Sequence, residues 1–149
     1  MERETFIIRD KEFTCIPMMP FEANKILLRI QKIFLPALGS FLSSKDLQNV
    51  FDMELESAAV MLAKNIDENI MTDIIFPMFS ACQLFCTTDN VKLDNPTKIN
   101  QVFTTKNLMD FYELIWLVFK YQFGPFFESL MSLIGNLKKE VPVQNSPEN

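Results

Sequence analysis

The start of the chain is rich in β-forming residues, and the pattern of hydrophobic and polar positions changes to a helical period at Pro20. Residues 5–8 (TFII) are rich in β-forming side chains, residues 9–12 are a polar turn, and residues 13–16 resume β character before Pro17. Because a two-stranded hairpin is marginal by itself in water, this segment predicts a hairpin that packs on another part of the chain.

From Pro20 onward, apolar residues recur at three- and four-residue steps, which predicts an amphipathic helix. Pro20 suits the first turn, Pro36 should kink or stop the helix, and Gly39 marks its end. The opposite face is basic, with Lys25, Arg29 and Lys32. Two interpretations of this basic face stay open, a solvated surface and a contact with an acidic partner.

The middle of the chain predicts further helices. Ser44 is a candidate N-cap, and the apolar pattern from Leu47 to Ala63 leaves open one bent helix or two. Asp67 signals the start of a helix that carries apolar residues as far as Phe85 and contains Pro77, which implies a kink or a late start. Since more than half of its circumference is apolar, we expect this helix to be central.

A polar interruption separates these helices from the last one. Residues 87–104 predict a loop, with a short strand pair or a one-turn helix around residues 99–103. A long helix follows from about Thr105, and Gly124-Pro125 should break or bend it.

The pattern as a whole predicts a mainly α protein, with a small N-terminal β-hairpin packed on a bundle of about four to six helices. Residues 1–137 form a single helical domain in this interpretation. Residues 138–149 are polar with two prolines and no aromatic residue, so we expect a disordered tail.

Composition changes the picture by what it excludes. The 149 residues include 15 Phe and 9 Met but no His, so the commonest general base at neutral pH and the commonest metal ligand are both missing. Neither a glycine-rich phosphate loop nor a paired CxxC nor a serine elbow is present. The three cysteines, an odd count, favour a reducing compartment. We therefore expect a non-enzymatic protein without a cofactor or metal ion.

Charge and hydropathy exclude two further classes of partner. The net charge of −5 and the pI near 4.8 have the wrong sign for a generic nucleic-acid binder. The apolar stretches 74–86 and 114–127 are shorter than the roughly 20 residues of a spanning helix, and the N-terminus lacks a signal-peptide core. We expect a soluble cytoplasmic protein that binds neither nucleic acid nor membrane.

Two blocks of sequence resemble a known family. Residues 19–39 (MPFEANKILLRIQKIFLPALG) are similar to the opening helix of small tail assembly chaperones from tailed bacteriophages and prophages, and residues 108–116 (LMDFYELIW) and 123–127 (FGPFF) resemble their closing helix. The chain departs from the family pattern at Leu35, where a glycine is common, and at Tyr121-Gln122. The matching blocks, in this order, span most of residues 5–127.

The resemblance implies a chaperone without catalysis or cofactor. Such proteins bind the tape measure protein, keep it soluble and recruit tail tube subunits, often through a longer product of ribosomal frameshifting. They act in the cytoplasm of the infected bacterial host and are not expected in the mature virion. Two alternatives stay open: a small helical adaptor or inhibitor that binds a single host or phage partner, and a monotopic membrane protein that uses the Phe-rich C-terminal helix.

The candidate partner-binding residues lie at the end of the last helix. Phe and Met offer large, adaptable apolar surfaces, which suits the binding of an apolar helical client. Most of these residues fit a core, but the helix after Trp116 is apolar on several faces, so its surplus is a client surface, a homo-oligomer interface or more core. The candidates are Phe119, Phe123, Phe126, Phe127, Leu130 and Met131.

Overall fold

The computed structural model describes residues 2–38 and 51–144, with the side chains of all of these except residues 33–38, 130, 131 and 134–144. The strands are β1 (Glu4–Ile8), β2 (Lys11–Cys15), β3 (Phe85–Cys86) and β4 (Val91–Lys92). The α-helices are α1 (Pro20–Leu38), α2 (Leu55–Asn65), α3 (Glu68–Ile70), α4 (Phe76–Ala81), α5 (Pro96–Ile99) and α6 (Leu108–Gln144). A π-helical stretch, Met71–Ile75, joins α3 to α4, and a 3₁₀ turn, Thr105–Asn107, precedes α6. The mainly α fold with an N-terminal β-hairpin is confirmed.

The hairpin is half of a four-stranded antiparallel sheet in the order β1-β2-β3-β4. Ile8 pairs with Lys11, so the turn consists of two residues, with Arg9 in the left-handed region at φ 52°. The predicted turn of four residues was too long. Phe13 pairs with Cys86, and β3 pairs in turn with β4, so a short strand pair lies on the edge of the hairpin. This pair was predicted too late in the chain, because β3 precedes residues 87–104.

The central helical segment, residues 68–81, begins as predicted. The Asp67 side chain accepts a hydrogen bond from the backbone N–H of Ile70 at 2.8 Å, which caps the first turn. The segment ends at Ala81, however, and Phe85 lies in β3 and not in the helix. Gln83 takes the left-handed conformation at φ 52° and turns the chain into the sheet. The helix was predicted too long because its apolar residues continue into a buried strand.

A π-helical stretch accommodates Pro77 within this segment. Proline has no N–H to donate to the carbonyl of Asp73 four residues earlier. Arg29 of α1 instead donates from Nη1 to that carbonyl at 2.8 Å. The helical segment is therefore disturbed before Pro77, as a π-helical stretch. The Asp73 carbonyl, which has no backbone donor at Pro77, is bound by a side chain from the neighbouring helix α1.

Helix α1 starts at Pro20, as predicted, and is helical through Pro36 to Leu38. The predictions for Gly39, Ser44 and Leu47 fall outside the described residues. Residues 52–54 are not helical, so the apolar pattern of residues 55–63 belongs to a helix of its own, α2.

Two expectations about the C-terminal half of the chain need correction. The one-turn helix is α5, Pro96–Ile99, which starts three residues earlier than predicted and shares only Ile99 with residues 99–103; Asn95 is its N-cap. Helix α6 continues through Gly124 and Pro125 to Gln144, so the predicted break there is wrong. The disorder of residues 138–149 stays a prediction, although α6 includes the first part of that segment.

The core lies between the sheet and the helices, and each layer contributes to it. Phe13 of β2 stacks on Phe103 with ring centroids 5.8 Å apart, and Phe79 of α4 meets Phe111 of α6 edge-on at 6.2 Å. Ile26 on the inner face of α1 is also buried. The hairpin is therefore part of the main core. Within the described residues, no helix is both long enough and apolar enough to cross a membrane.

Candidate partner-binding surface

Helix α6 is fixed at its start by a capping box. The Thr104 side chain accepts a hydrogen bond from the N–H of Lys106, while the Asn107 side chain accepts one from the N–H of Thr104 at 2.7 Å. The helix is then buried around much of its circumference. Leu114, Ile115 and Val118 are each at most 1% exposed. The first half of α6 is therefore a core element.

Two polar anchors connect α6 to the hairpin. Arg9, in the hairpin turn, contacts the carboxylates of Asp110 at 2.6 Å and Glu113 at 3.1 Å. Glu113 is only 5% exposed, so this ion pair gives a buried carboxylate its counter-charge. The neighbouring carboxylates raise the pKa of Arg9, led by the hydrogen bond to Glu113.

The second anchor is Gln122, one side chain that binds two backbone groups. Its Oε1 accepts a hydrogen bond from the N–H of Met18 at 2.9 Å, and its Nε2 donates to the carbonyl of Ile16 at 2.8 Å. The connection between β2 and α1, which contains Ile16 and Met18, is thus held against α6. These contacts fix the place at which the second half of α6 begins.

An aromatic cluster lies on both sides of Gln122 along α6; it joins four rings of α6 to one from a distant part of the chain, and its members are Trp116, Phe119, Phe123 and Phe127 with Phe51. Phe51 packs against Phe119 with centroids 5.9 Å apart and planes 4° apart, and against Phe127 at 5.3 Å. Phe119 in turn contacts Phe123 at 5.5 Å. Phe51 was predicted as an apolar helix position, but its contact with α6 connects residues distant in sequence and has no local signal.

The predicted site residues take different places around this cluster. Phe123 is 2% exposed and belongs to the core, while Phe119 and Phe127 are half-buried. Phe126 is 44% exposed and meets Phe127 edge-on at 5.3 Å. The side chains of the other two candidates, Leu130 and Met131, lie outside the described set.

An apolar residue that sequence reasoning did not select continues the exposed surface. Leu133 is 60% exposed and lies about two helical turns beyond Phe126, on the same side of α6. We call Phe126 and Leu133 the α6 stripe. The half-buried rings of the aromatic cluster adjoin it through the Phe126–Phe127 contact.

The thiols of Cys82 and Cys86 are poorly placed for nucleophilic chemistry, whereas the hydrogen bond with Cys82 lowers the pKa of the buried Cys15. Cys15, Cys82 and Cys86 are reduced and buried. The hydrogen bond to Cys15, together with burial, raises the pKa of Cys82, and burial raises that of Cys86. Thiols of this kind are mostly protonated at neutral pH and are weak nucleophiles.

Two further features of the described residues concern metal binding and cavities. Within them, no group of three or more Cys, Asp or Glu residues could hold a metal ion. A shallow groove of about 290 Å³ lies between α5 and α6, and Ile99, Phe103, Leu108 and Phe111 form its apolar walls. The titratable side chains that acid–base chemistry requires are absent from its lining.

Comparison with known proteins identifies a family. Residues 9–135 match the family described as "Phage tail assembly chaperone protein, TAC". The match covers β2, all of the described helices up to α6 and most of α6 itself. Neither the curated proteins nor the solved structures include a significant match.

Proposed function

The chain belongs to the phage tail assembly chaperone family, and on that premise we propose that it binds the tape measure protein and keeps that long chain soluble during tail assembly. The observation that carries this proposal is the α6 stripe. Phe126 and Leu133 are 44% and 60% exposed on α6, beyond the stretch in which Leu114, Ile115 and Val118 are buried. An exposed apolar stripe on a rigid helix suits an apolar helical client.

The arrangement behind the stripe supports the same role. Phe119 and Phe127 are half-buried; Phe119 stacks on Phe51 and Phe127 packs against Phe51 at a tilt, so both rings form an apolar base beside the stripe. Leu130 and Met131 occupy positions between Phe126 and Leu133 along α6. Four predicted residues therefore stay candidate contacts around the stripe: Phe119, Phe127, Leu130 and Met131. Phe123, which is 2% exposed, supports the stripe from the core and is not a candidate contact.

The remainder of the proposal concerns partners and location. The protein works without catalysis or a cofactor, in the cytoplasm of the infected bacterial host, and is left out of the mature virion. A longer product of the same gene recruits tail tube subunits. The net charge of −5 supports a soluble holdase, because like-charged molecules repel one another while part of their apolar surface is exposed.

Co-expression with the tape measure protein tests the proposal. We expect the wild-type chain to raise the soluble fraction of the tape measure protein and to co-purify with it in several copies. Replacing Phe126 and Leu133 by serine should remove both effects. The matched control replaces Leu108 and Met109 by serine, since these residues are 43% and 41% exposed at the other end of the same helix.

Stability measurements separate binding from folding. The Phe126→Ser/Leu133→Ser protein should lose no more than about 1 kcal/mol of unfolding free energy, because both side chains are exposed. Phe123→Ser should lose about 3–5 kcal/mol, because the ring is buried.

No effect of the wild-type chain on tape measure solubility would refute the function. If the Leu108/Met109 control lost as much tape measure solubility and co-purification as the Phe126/Leu133 variant, the assignment of binding to the α6 stripe would be refuted. A dimer that dissociates in the Phe126/Leu133 variant would reassign the stripe to self-association.

A further inference from the structure

The outward face of α1 combines exposed apolar and basic side chains. Phe21 is 85% exposed and Leu28 is 48% exposed. They lie one heptad apart on the same side of the helix. Lys25 and Lys32 follow Phe21 and Leu28 by one helical turn each, and both are exposed. We call these four residues the α1 stripe. It is about 16 Å long at 1.5 Å per residue.

The charge of α1 is opposite to that of the rest of the chain. The helix carries three cations, Lys25, Arg29 and Lys32, and one carboxylate, Glu22, for a net +2. Because the whole chain has a net charge of −5, the remainder carries −7. The one ion pair described for the stripe, Lys25 with Glu22, is exposed and 3.7 Å long. Such a pair contributes little and leaves the lysine accessible.

The inner face of α1 is already used by the fold. Ile26 and Ile30 are 2% and 9% exposed and join the main core, with α1 packed against the helical segment 68–81. Phe21 and Leu28, on the outward face, are much less covered than these two residues. Large apolar side chains in a row, flanked by cations, are typical of the contact face of a helix pair.

From this face we propose that α1 docks an acidic amphipathic helix of a partner protein, with Phe21 and Leu28 as apolar anchors and the cations paired with carboxylates. The proposal is separate from the function proposed above, since it rests on a different helix and different side chains. Charge complementarity also sets orientation, because the partner's carboxylates are attracted to α1 and repelled by the acidic remainder.

The same charges argue against a lipid surface as the occupant. An anionic bilayer is flat and extends beyond α1, so it would also face the acidic remainder of the chain. A single helix of about three turns covers the α1 stripe alone. We therefore commit to a helix, and we use vesicles as a contrasting probe.

Two synthetic peptides test the proposal on the full-length protein. Both have leucine at the a and d positions of about three heptads; one has glutamate at the flanking positions and the other has lysine. Fluorescence anisotropy should show at least about tenfold tighter binding of the acidic peptide in about 0.1 M salt. The preference should shrink in about 1 M salt, where the Debye length falls to about 3 Å.

Variants assign the binding to α1. Lys25→Glu/Lys32→Glu should abolish or reverse the preference for the acidic peptide, and Phe21→Ser/Leu28→Ser should weaken that peptide's binding about tenfold or more. The charge control is Lys64→Glu/Lys98→Glu, since both lysines are exposed on other helices. The Phe126→Ser/Leu133→Ser protein should bind the acidic peptide like the wild type. That last variant separates this proposal from the chaperone function.

Three results would overturn the proposal. The first is equal affinity for the acidic and the basic peptide. The second is an unchanged preference in the Lys25/Lys32 variant whose circular dichroism and unfolding midpoint match the wild type. The third is binding to anionic phosphatidylglycerol vesicles that is tighter than binding to the acidic peptide, which would assign the stripe to a lipid surface.

Discussion

At the scale of single residues, a few polar side chains determine how the layers meet. Gln122 binds the backbone of Met18 and Ile16 with one amide group, at 2.9 Å and 2.8 Å. Arg9 gives the 5%-exposed Glu113 a counter-charge at 3.1 Å. Both contacts join the segment around the hairpin to α6, so the position of α6 depends on side chains as well as on apolar burial.

Gln122→Ala should lower the unfolding free energy by about 1–3 kcal/mol, because it leaves a part-buried donor and acceptor without partners. The unfolding free energy of Gln122→Glu should lie between those of the wild type and Gln122→Ala. A carboxylate still accepts a hydrogen bond from the N–H of Met18 but has no N–H to donate to the carbonyl of Ile16. Urea titration measures both. The control is Gln101→Ala, at an exposed glutamine, with an expected change under about 0.5 kcal/mol. Equal effects at positions 101 and 122 would contradict this role.

Neither polar anchor was predictable from the sequence. A glutamine near the end of a helical pattern resembles any solvated residue, and an arginine in a polar turn is ordinary. Their partners are distant in sequence, and only the folded chain brings them together. The Asp67 cap was predictable, in contrast, because its acceptor and the Ile70 donor lie within one helical turn.

At the scale of elements, α6 is the feature that departs most from the pattern. It continues through Gly124-Pro125, where a break was expected. In the α conformation, a Cβ on the residue before proline would meet the proline ring. Glycine at position 124 removes that contact, so the pair that predicts a break locally is also the pair that lets a proline remain within a helix.

Pro125→Ala should stabilise the protein by about 1–3 kcal/mol, because alanine restores the N–H that proline lacks. Gly124→Ala alone should gain little, since its Cβ faces the proline ring. In the Pro125→Ala background it should add about 1 kcal/mol, because a Cβ there otherwise meets only Lys120 Cγ, at 4.0 Å. Thermal unfolding of the four proteins measures the coupling. A loss of stability in Pro125→Ala would show that α6 needs the proline.

The elements that were predicted correctly are those with a strong local period. β-Forming residues on either side of a polar turn indicated β1 and β2, and three- and four-residue spacing indicated α1 and α6. Pairing between distant segments was less accessible. Phe85 and Cys86 continue an apolar helical pattern, yet their pairing with Thr14 and Phe13 makes them a strand. Long-range pairing overrode the local signal there.

At the scale of the whole molecule, sheet and helices share one core. Phe6 and Phe13 of the hairpin belong to the same buried cluster as Phe79 and Phe111. The hairpin therefore cannot separate from the helices without exposing aromatic surface from both. A chain built in this way should unfold as one cooperative unit.

Urea unfolding followed by Trp116 fluorescence and by far-UV circular dichroism should give coincident transitions. Trp116 is the one tryptophan of the chain, and it is 3% exposed on α6. Phe13→Ala, on the hairpin, should lower both transitions together by about 3–5 kcal/mol, because its ring is completely buried. Two separate transitions, or a Phe13→Ala effect confined to one probe, would show that the sheet and the helices unfold independently.

The candidate site was predictable only as a region. Phe123 and Phe126 are three residues apart and so lie only about 60° apart around the helix, and this spacing does not reveal which of the two the rest of the chain covers. Phe51 supplies part of that cover, and its approach to Phe119 and Phe127 is a tertiary contact. The α6 stripe is therefore a result of packing, and the sequence indicated only that apolar residues were in surplus there.

The hydrogen bond between Arg29 and the Asp73 carbonyl also fixes the position of α1 along its own axis, relative to the central helical segment. The π-helical stretch holds that acceptor at one level of the central segment, and a single guanidinium reaches it at 2.8 Å. A slide of α1 by one turn, about 5.4 Å, would leave the carbonyl without its donor. Pro77 thus helps to set the register of α1 along the central helical segment. That register also determines the positions of Phe21 and Leu28, the apolar anchors of the proposed docking site.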